Sequence, residues 1–360
     1  MATSFTVAAR NNGFTAADTR AVTLAAVAAY REAMADFAQM STMELWYSRF
    51  DEDRLRALIH GAVGEVSAGA KKDTKAKAGK KKETRDLKQE KIAREAAKRA
   101  QKNLAKAHTR DSVQALSKLC EVVDGTYRIV SQPPVIVPAR DLAATYGMSP
   151  DEVMPMIHDQ LRAYRATLQY DRRHLLEKFQ VVDVARKVVG VGSVGTRAFI
   201  VLLQGRDAHD PLFLQVKEAT SSVLEAYLPK SRFRQHGERV VQGQRLMQAA
   251  SDIYLGWTKG RDVSRNFYWR QLRDMKGSAL VELMAPITLT YYGRICGWTL
   301  ARAHARTGDP VAIAEYLGSG DVFDRSIADF SERYADQNQK DYETFTGAIR
   351  AGRLHAVEGV

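Results

Sequence analysis

Gly190, Gly192 and Gly195 follow one another in a GxGxxG spacing between two apolar runs, and Lys217 closes a third. Glycines at this spacing let backbone N–H groups close on phosphate oxygens, and a lysine brings a positive charge to the same group. Ser193 lies within the turn. The stretch from Lys187 to Lys217 therefore reads as a phosphate-cradling turn between two strands with a cation on the strand that follows. Two unrelated folds use this spacing. In a dinucleotide-binding fold the last glycine opens a helix, and an acid some 20 residues on holds a ribose. Here Gly195 is followed by Ala198, Phe199, Ile200, Val201, Leu202 and Leu203, a β-rich run ending in the turn signal Gln204-Gly205-Arg206-Asp207.

A hairpin carrying the glycines and a following strand ending in lysine is the layout of a protein-kinase nucleotide lobe. A glycine-rich hairpin with an ordinary surface lysine has the same spacing. A kinase lobe also needs an acid to hold its lysine on the phosphates. Two stand downstream, Glu225 and Glu238. Glu238 precedes the next strand more directly but also suits the first turn of a helix on dipole grounds alone, and both stay open. Asp274, after the strand candidate Phe267 to Leu272, is the residue placed to meet a ribose. It is equally suited to initiating the turn before Lys276-Gly277.

The elements that must position these groups are mixed. Thr15 to Asp18 has the form of a capping box, and Val22, Ala25, Ala29, Ala33 and Phe37 follow at helical spacing. A short helix is expected over Asp51 to Ile59. Another, capped by Asp111, is expected to carry Val113, Leu116, Leu119 and Val122 and to stop at Asp124-Gly125. Tyr127 to Val137 reads as extended, with Pro133-Pro134 keeping it out of the centre of a sheet. Ser149-Pro150-Asp151-Glu152 opens a helix expected to run to about Leu176. Helices are also expected at Ser221 to Leu228 and Glu238 to Ser251. The last third reads as helical over Tyr291 to Arg306, Val311 to Leu317 and, in one or two pieces, Asp321 to Arg350.

The chain has 360 residues, 45% of them hydrophobic, and a net charge of +12. Between Lys71 and Arg110 stand 12 Lys and 4 Arg against 3 Glu and 2 Asp, so nearly all of the excess charge is local. This arm has no aromatic side chain to stack on bases, which leaves a solvated charged arm or a salt-sensitive, unspecific contact with an acidic partner. Cys120 and Cys296, in segments that read as helical and in no metal-ligand spacing, suit a reduced compartment. No run of 18 apolar residues occurs and residues 1–13 lack a signal-peptide core, so a cytoplasmic protein that does not span a membrane is expected.

Several blocks together carry a family resemblance: residues 189–197, 214–219, 237–245, 248–252, 301–309 and 334–337, with Leu116 to Leu119 and Val123 to Gly125. In this order, and over nearly the whole chain, they resemble the bacterial family called domain of unknown function 2252. That family is usually grouped with protein-kinase-like folds. The resemblance implies an α+β, protein-kinase-like (permuted) fold with a small antiparallel β-sheet nucleotide lobe and a mainly helical remainder. The corresponding division is residues 1–70 as N-terminal helices, 71–110 as the charged arm, and 111–178 as a helical connector with an extended, proline-rich segment. Residues 179–274 then form the nucleotide lobe and 275–360 the C-terminal helices. ATP with Mg is the implied cofactor, and another phosphorylated small molecule is the alternative.

One departure bears on chemistry. The family pattern begins with a segment of the type His-Gly-Asp-x-His-x-x-Asn and an Asp-Phe-Asp stretch, similar to the catalytic and metal-binding loops of aminoglycoside-type kinases. Neither occurs here. Ala208-His-Asp210, Ile157-His-Asp159 and His304 to Asp309 lack the asparagine and second acid that should follow. Phosphoryl transfer needs a residue orienting the acceptor and ligands holding magnesium. The expectation is a truncated or alternatively started family member, with a remnant nucleotide site and no catalytic competence as this chain. An interaction module using residues 71–110 is the competing reading, and a non-kinase transferase using the same pocket is a third.

Overall fold

The computed structural model describes residues 1–49, 95, 98, 112–142, 147, 149–188, 195–272 and 279–356. The expected helix at Asp51 to Ile59 lies outside these residues, as does the charged arm except for Glu95 and Lys98. In chain order the helices are α1 (Ala2–Asn11), α2 (Ala16–Gln39), α3 (Thr42–Tyr47) and α4 (Ser112–Leu119). Strands β1 (Cys120–Val123), β2 (Thr126–Ile129) and β3 (Ile136–Pro138) follow, then α5 (Ala139–Leu142), α6 (Pro150–Arg165) and α7 (Tyr170–Leu176). Next come β4 (Gln180–Lys187), β5 (Ala198–Gln204), β6 (Pro211–Ala219), α8 (His236–Met247), β7 (Gly256–Lys259) and β8 (Asn266–Gln271). The chain ends in α9 (Pro286–Thr307), α10 (Pro310–Leu317) and α11 (Val322–Arg350). The fold is α+β, with every strand pair antiparallel. It forms two compact units, one from both ends of the chain and one from its middle.

The helical unit is built on α2 and α9. Thr15 caps α2 by accepting the Asp18 N–H at 3.1 Å, and the buried face carries Val22, Ala26, Ala33, Met34 and Phe37. Helix α9 approaches closely because Gly293 and Gly297 leave its facing side bare. A Cβ on Gly297 would lie 2.2 Å from the Ala26 carbonyl oxygen, and one on Gly293 would lie 3.2 Å from the Ala26 Cβ. Backbone cannot yield as a flexible side chain would. Gly297→Ala is therefore expected to destabilise this unit by about 1–3 kcal/mol, read as a lower urea midpoint, with Gly293→Ala costing less. His304 on α9 meets the Tyr30 hydroxyl of α2 through Nδ1 at 2.9 Å.

The middle unit is a sheet in the order β3-β4-β5-β6-β8-β7, accompanied by the separate hairpin β1-β2. Along β6 the side chains alternate between two cores. Leu212, Leu214 and Val216 join Tyr164 of α6, Val201 and Trp269. Phe213 joins Leu116 of α4, Ile129, Ile200 and Leu202 on the other face. Tyr164 stacks on Trp269 with ring centroids 4.5 Å apart and donates its hydroxyl to the Tyr254 carbonyl at 2.6 Å.

Three expectations change. The helix meant to carry Leu116 through Val122 stops at Leu119, and Cys120 begins a strand, because Asp124 (φ 50°) and Gly125 (φ 74°) form a left-handed pair that folds the chain into a hairpin. Burial and the nearby Asp183 push the Cys120 thiol up to about 12, so it stays protonated. The helix opened at Ser149 ends at Arg165 rather than near Leu176. Thr167 Oγ1 takes the Trp257 N–H at 3.1 Å, and Arg165 reaches the Phe179 carbonyl at 3.0 Å. The helix expected at Ser221 to Leu228 is reduced to a 3-10 turn, Val223–Ala226.

Candidate functional site

The glycine turn joins β4 to β5, two strands paired from Gln180↔Gln204 to Arg186↔Phe199. Gly195 has φ +81°, a conformation that L side chains rarely adopt, so a substitution there is strained. Gly190, Gly192 and Ser193 lie outside the described residues, and so does Asp274.

Lys217 stands near the end of β6, opposite Ala198 of β5 and Tyr268 of β8. Period-two alternation puts it on the same face as Phe213 and Gln215. The register pairs Gln215 with Arg270, so Arg270 stands diagonal to Lys217 on that face. Gln215 is nearly buried. Lys217 is half-buried, and its amine titrates below the ordinary lysine value, first through desolvation and then through the charge of Arg270. Burial pushes the Tyr268 hydroxyl up, while Arg270 opposes that shift. The Arg270 Nε is buried and has no hydrogen-bond partner among the described residues. Two cations, a buried amide and a phenol thus share one face of the sheet.

Neither acid expected to hold Lys217 does so. Glu225 accepts the Ser231 N–H at 3.4 Å. Glu238 sits in the first turn of α8, where the Gln235 side chain accepts its N–H at 2.6 Å. Helix α8 itself is held tightly on the sheet: a Cβ on Gly237 would lie 2.1 Å from the Phe267 carbonyl oxygen. Lys217 forms no ion pair among the described residues, and Arg270 is the charge that adds to desolvation in lowering its pKa. Sequence reasoning missed Arg270, which lies 53 positions from Lys217 and meets it only through the β6–β8 register.

The other face of the same sheet holds a cavity of about 500 Å³ between the strands and α6, with Arg197 and Arg265 among the residues that line it. Val216 lines it, and its neighbour Lys217 points away from it. Among the described residues no group of three or more His, Cys, Asp or Glu side chains is gathered to hold a metal ion. None of the described helices is long and apolar enough to cross a membrane.

These features define a two-unit α+β protein whose antiparallel sheet carries a glycine turn and a lysine-arginine face. The chain belongs to the family described as "uncharacterized protein conserved in bacteria (DUF2252)", whose model matches residues 1–93 and 65–348. No curated protein and no solved structure matched the chain.

Proposed function

We propose that the middle unit is a nucleotide lobe of the protein-kinase kind, and that its Lys217-Arg270 face binds the phosphates of ATP. The observation that carries this reading is a lysine and an arginine on one sheet face, the arginine with a buried nitrogen that has no partner among the described residues and the lysine with no carboxylate paired to it among them. Such a face is destabilised by its own charge until an anion meets it. The succession of elements supports the same reading. A glycine turn joins the first two strands of β4-β5-β6, the lysine is on the third, and α8 then precedes β7 and β8. Assembly of the helical remainder from both ends of the chain suits a permuted order of parts.

The fit is to phosphate oxygens. Lys217 and Arg270 would hold them, with Tyr268 and Gln215 as neutral donors. The described residues bring together no set of acids for magnesium, so the reading covers binding and includes no transfer step. Glu238 is the acid favoured to approach Lys217 once phosphate is bound, since α8 opens beside β8.

A thermal-shift titration tests this. Mg-ATP is expected to raise the unfolding temperature of the full chain, and Lys217→Met to remove that rise. If Mg-ATP stabilises nothing while deletion of residues 71–82 abolishes capture of an acidic partner, the interaction-module reading replaces this one. The pH dependence has a definite sign. Lys217 binds phosphate as the cation and its pKa is depressed, so affinity should fall as pH rises through that lowered value, before an ordinary lysine near 10.5 would discharge. Lys217→Met should flatten the profile over that range.

A further inference from the structure

We propose that the cavity between α6 and the sheet binds a single-chain organic acid, a fatty-acid-class carboxylate, with its tail inside and its carboxylate at an arginine rim. The inference goes beyond the nucleotide reading and does not rest on it, because this cavity lies on the sheet face turned away from Lys217.

Its depth is apolar. Val184, Phe199, Val201, Val216 and Trp269 form the floor from β4, β5, β6 and β8. Val153, Met156 and Ile157 form the opposite wall from α6. In that wall Gln160 is the polar exception. A cavity of about 500 Å³ is within the usual size range of small-molecule sites, and such sites combine apolar walls with a few convergent polar groups. Left to water, these walls would give up the free energy of apolar burial that an acyl chain would recover.

The polar groups gather at one end. Arg197, immediately before β5, lines the cavity together with Arg261, Asp262 and Arg265 from the β7–β8 turn. The acids there are already engaged. Glu218, only 9% exposed, accepts Arg265 Nη1 at 2.7 Å and the Arg197 backbone N–H at 3.0 Å. Asp262 accepts both the N–H and the hydroxyl of Ser264, at 3.0 and 2.6 Å. Its carboxyl is held below the usual range by those bonds first, then by Arg265 and Arg197. Glu152, which senses Arg261, directs its carboxylate to the Ser149 cap at 2.8 Å. Arg265 spans both acids, with its Nε also 3.3 Å from Asp262 Oδ2, while Arg261 lines the cavity and forms no hydrogen bond or ion pair among the described residues, which leaves its N–H donors to a ligand. The Arg261 guanidinium offers a single positive charge, which suits a monoanionic carboxylate better than a phosphate dianion. Arginine is also the cation whose fork matches a carboxylate in two parallel bonds.

The probe is dodecanoate, titrated into the full chain below its micelle concentration, with dodecanol as the neutral control. Saturable one-site binding is expected, at least tenfold tighter for dodecanoate than for dodecanol, with decanoate about tenfold weaker than dodecanoate for the loss of two methylenes. Arg261→Glu, on an exposed turn, should weaken dodecanoate at least tenfold and leave dodecanol unchanged. Met156→Trp should weaken both by filling the cavity, and Lys217→Met should affect neither. Should Met156→Trp fail to fold, 12-bromododecanoate supplies the second measurement. It is expected to quench Trp269 fluorescence in the wild-type chain, and the quenching should largely disappear in Trp269→Phe. Absence of saturable binding overturns the proposal. So does equal affinity for acid and alcohol, binding indifferent to Arg261→Glu, or quenching that survives Trp269→Phe.

Discussion

Asp324→Ala is expected to remove about 3–5 kcal/mol from the stability of the helical unit, a large part of the 5–15 kcal/mol on the order of which a whole domain is stable. Asp324 on α11 is 3% exposed. It accepts Arg31 of α2 through Nε at 3.1 and 3.2 Å and through Nη2 at 2.9 Å. Removing the carboxylate leaves the Arg31 guanidinium largely buried, with the Ser319 carbonyl at 3.3 Å and the exposed Glu32 carboxylate at 3.8 Å as weak substitutes. The loss comes mostly from stranding a charge rather than from the attraction of the pair, so Arg31→Met with Asp324→Leu should recover most of the stability. The exposed pair Arg10–Asp336, with side chains 39% and 63% exposed, provides the contrast. Asp336→Ala should cost less than about 1 kcal/mol. Urea unfolding followed by helical circular dichroism distinguishes these cases.

Lys217→Met is expected to move stability and ligand affinity in opposite directions. Its amine titrates low because the folded protein disfavours its charge. That cost is fully present below the folded pKa and is relieved as pH rises towards the unfolded value. Methionine keeps the apolar stem and removes the charge, so the unliganded variant should unfold at a higher temperature than wild type at neutral pH. The gain should shrink as the solution becomes alkaline. Affinity for Mg-ATP should fall about ten- to hundredfold, the equivalent of one charge-assisted hydrogen bond of about 1.5–3 kcal/mol. Arg270→Met should show the same opposition. A plain surface lysine would change neither quantity by a measurable amount, so paired differential scanning fluorimetry and calorimetry separate the two readings.

Parts of this architecture are legible from residue order. Strands β5, β6 and β8 follow from β-rich runs bounded by turn residues. Helix α11 follows from its sustained period. What escaped is set by contacts distant in sequence. Nothing local ends α6 at Arg165: no glycine or proline stands there, and the break is fixed by the Trp257 backbone reaching Thr167 and by Arg173 Nε reaching the Arg165 carbonyl at 3.1 Å. The β1-β2 hairpin had a local signal in Asp124-Gly125, but the helical spacing of the apolar residues before it pointed the other way. Strand β7, four residues long, is too short to show a period. Arg270 and the cavity on the opposite face both depend on strand register, which no spacing within a single segment reveals.

The most direct test of the phosphate face is chemical labelling with an acyl-phosphate derivative of ATP. Bound nucleotide would hold its electrophilic carbonyl beside the amine that contacts the phosphates. The amine attacks the carbonyl, an amide forms, and the nucleotide leaves as its phosphate. A depressed pKa leaves more of Lys217 as the nucleophilic free amine near neutrality than an ordinary lysine would have. Digestion and mass spectrometry should find Lys217 acylated and protected by excess Mg-ATP, while the 12 lysines between Lys71 and Arg110 react without protection. A Lys217 that stays unlabelled, or is labelled equally with and without competing Mg-ATP, would contradict the assignment.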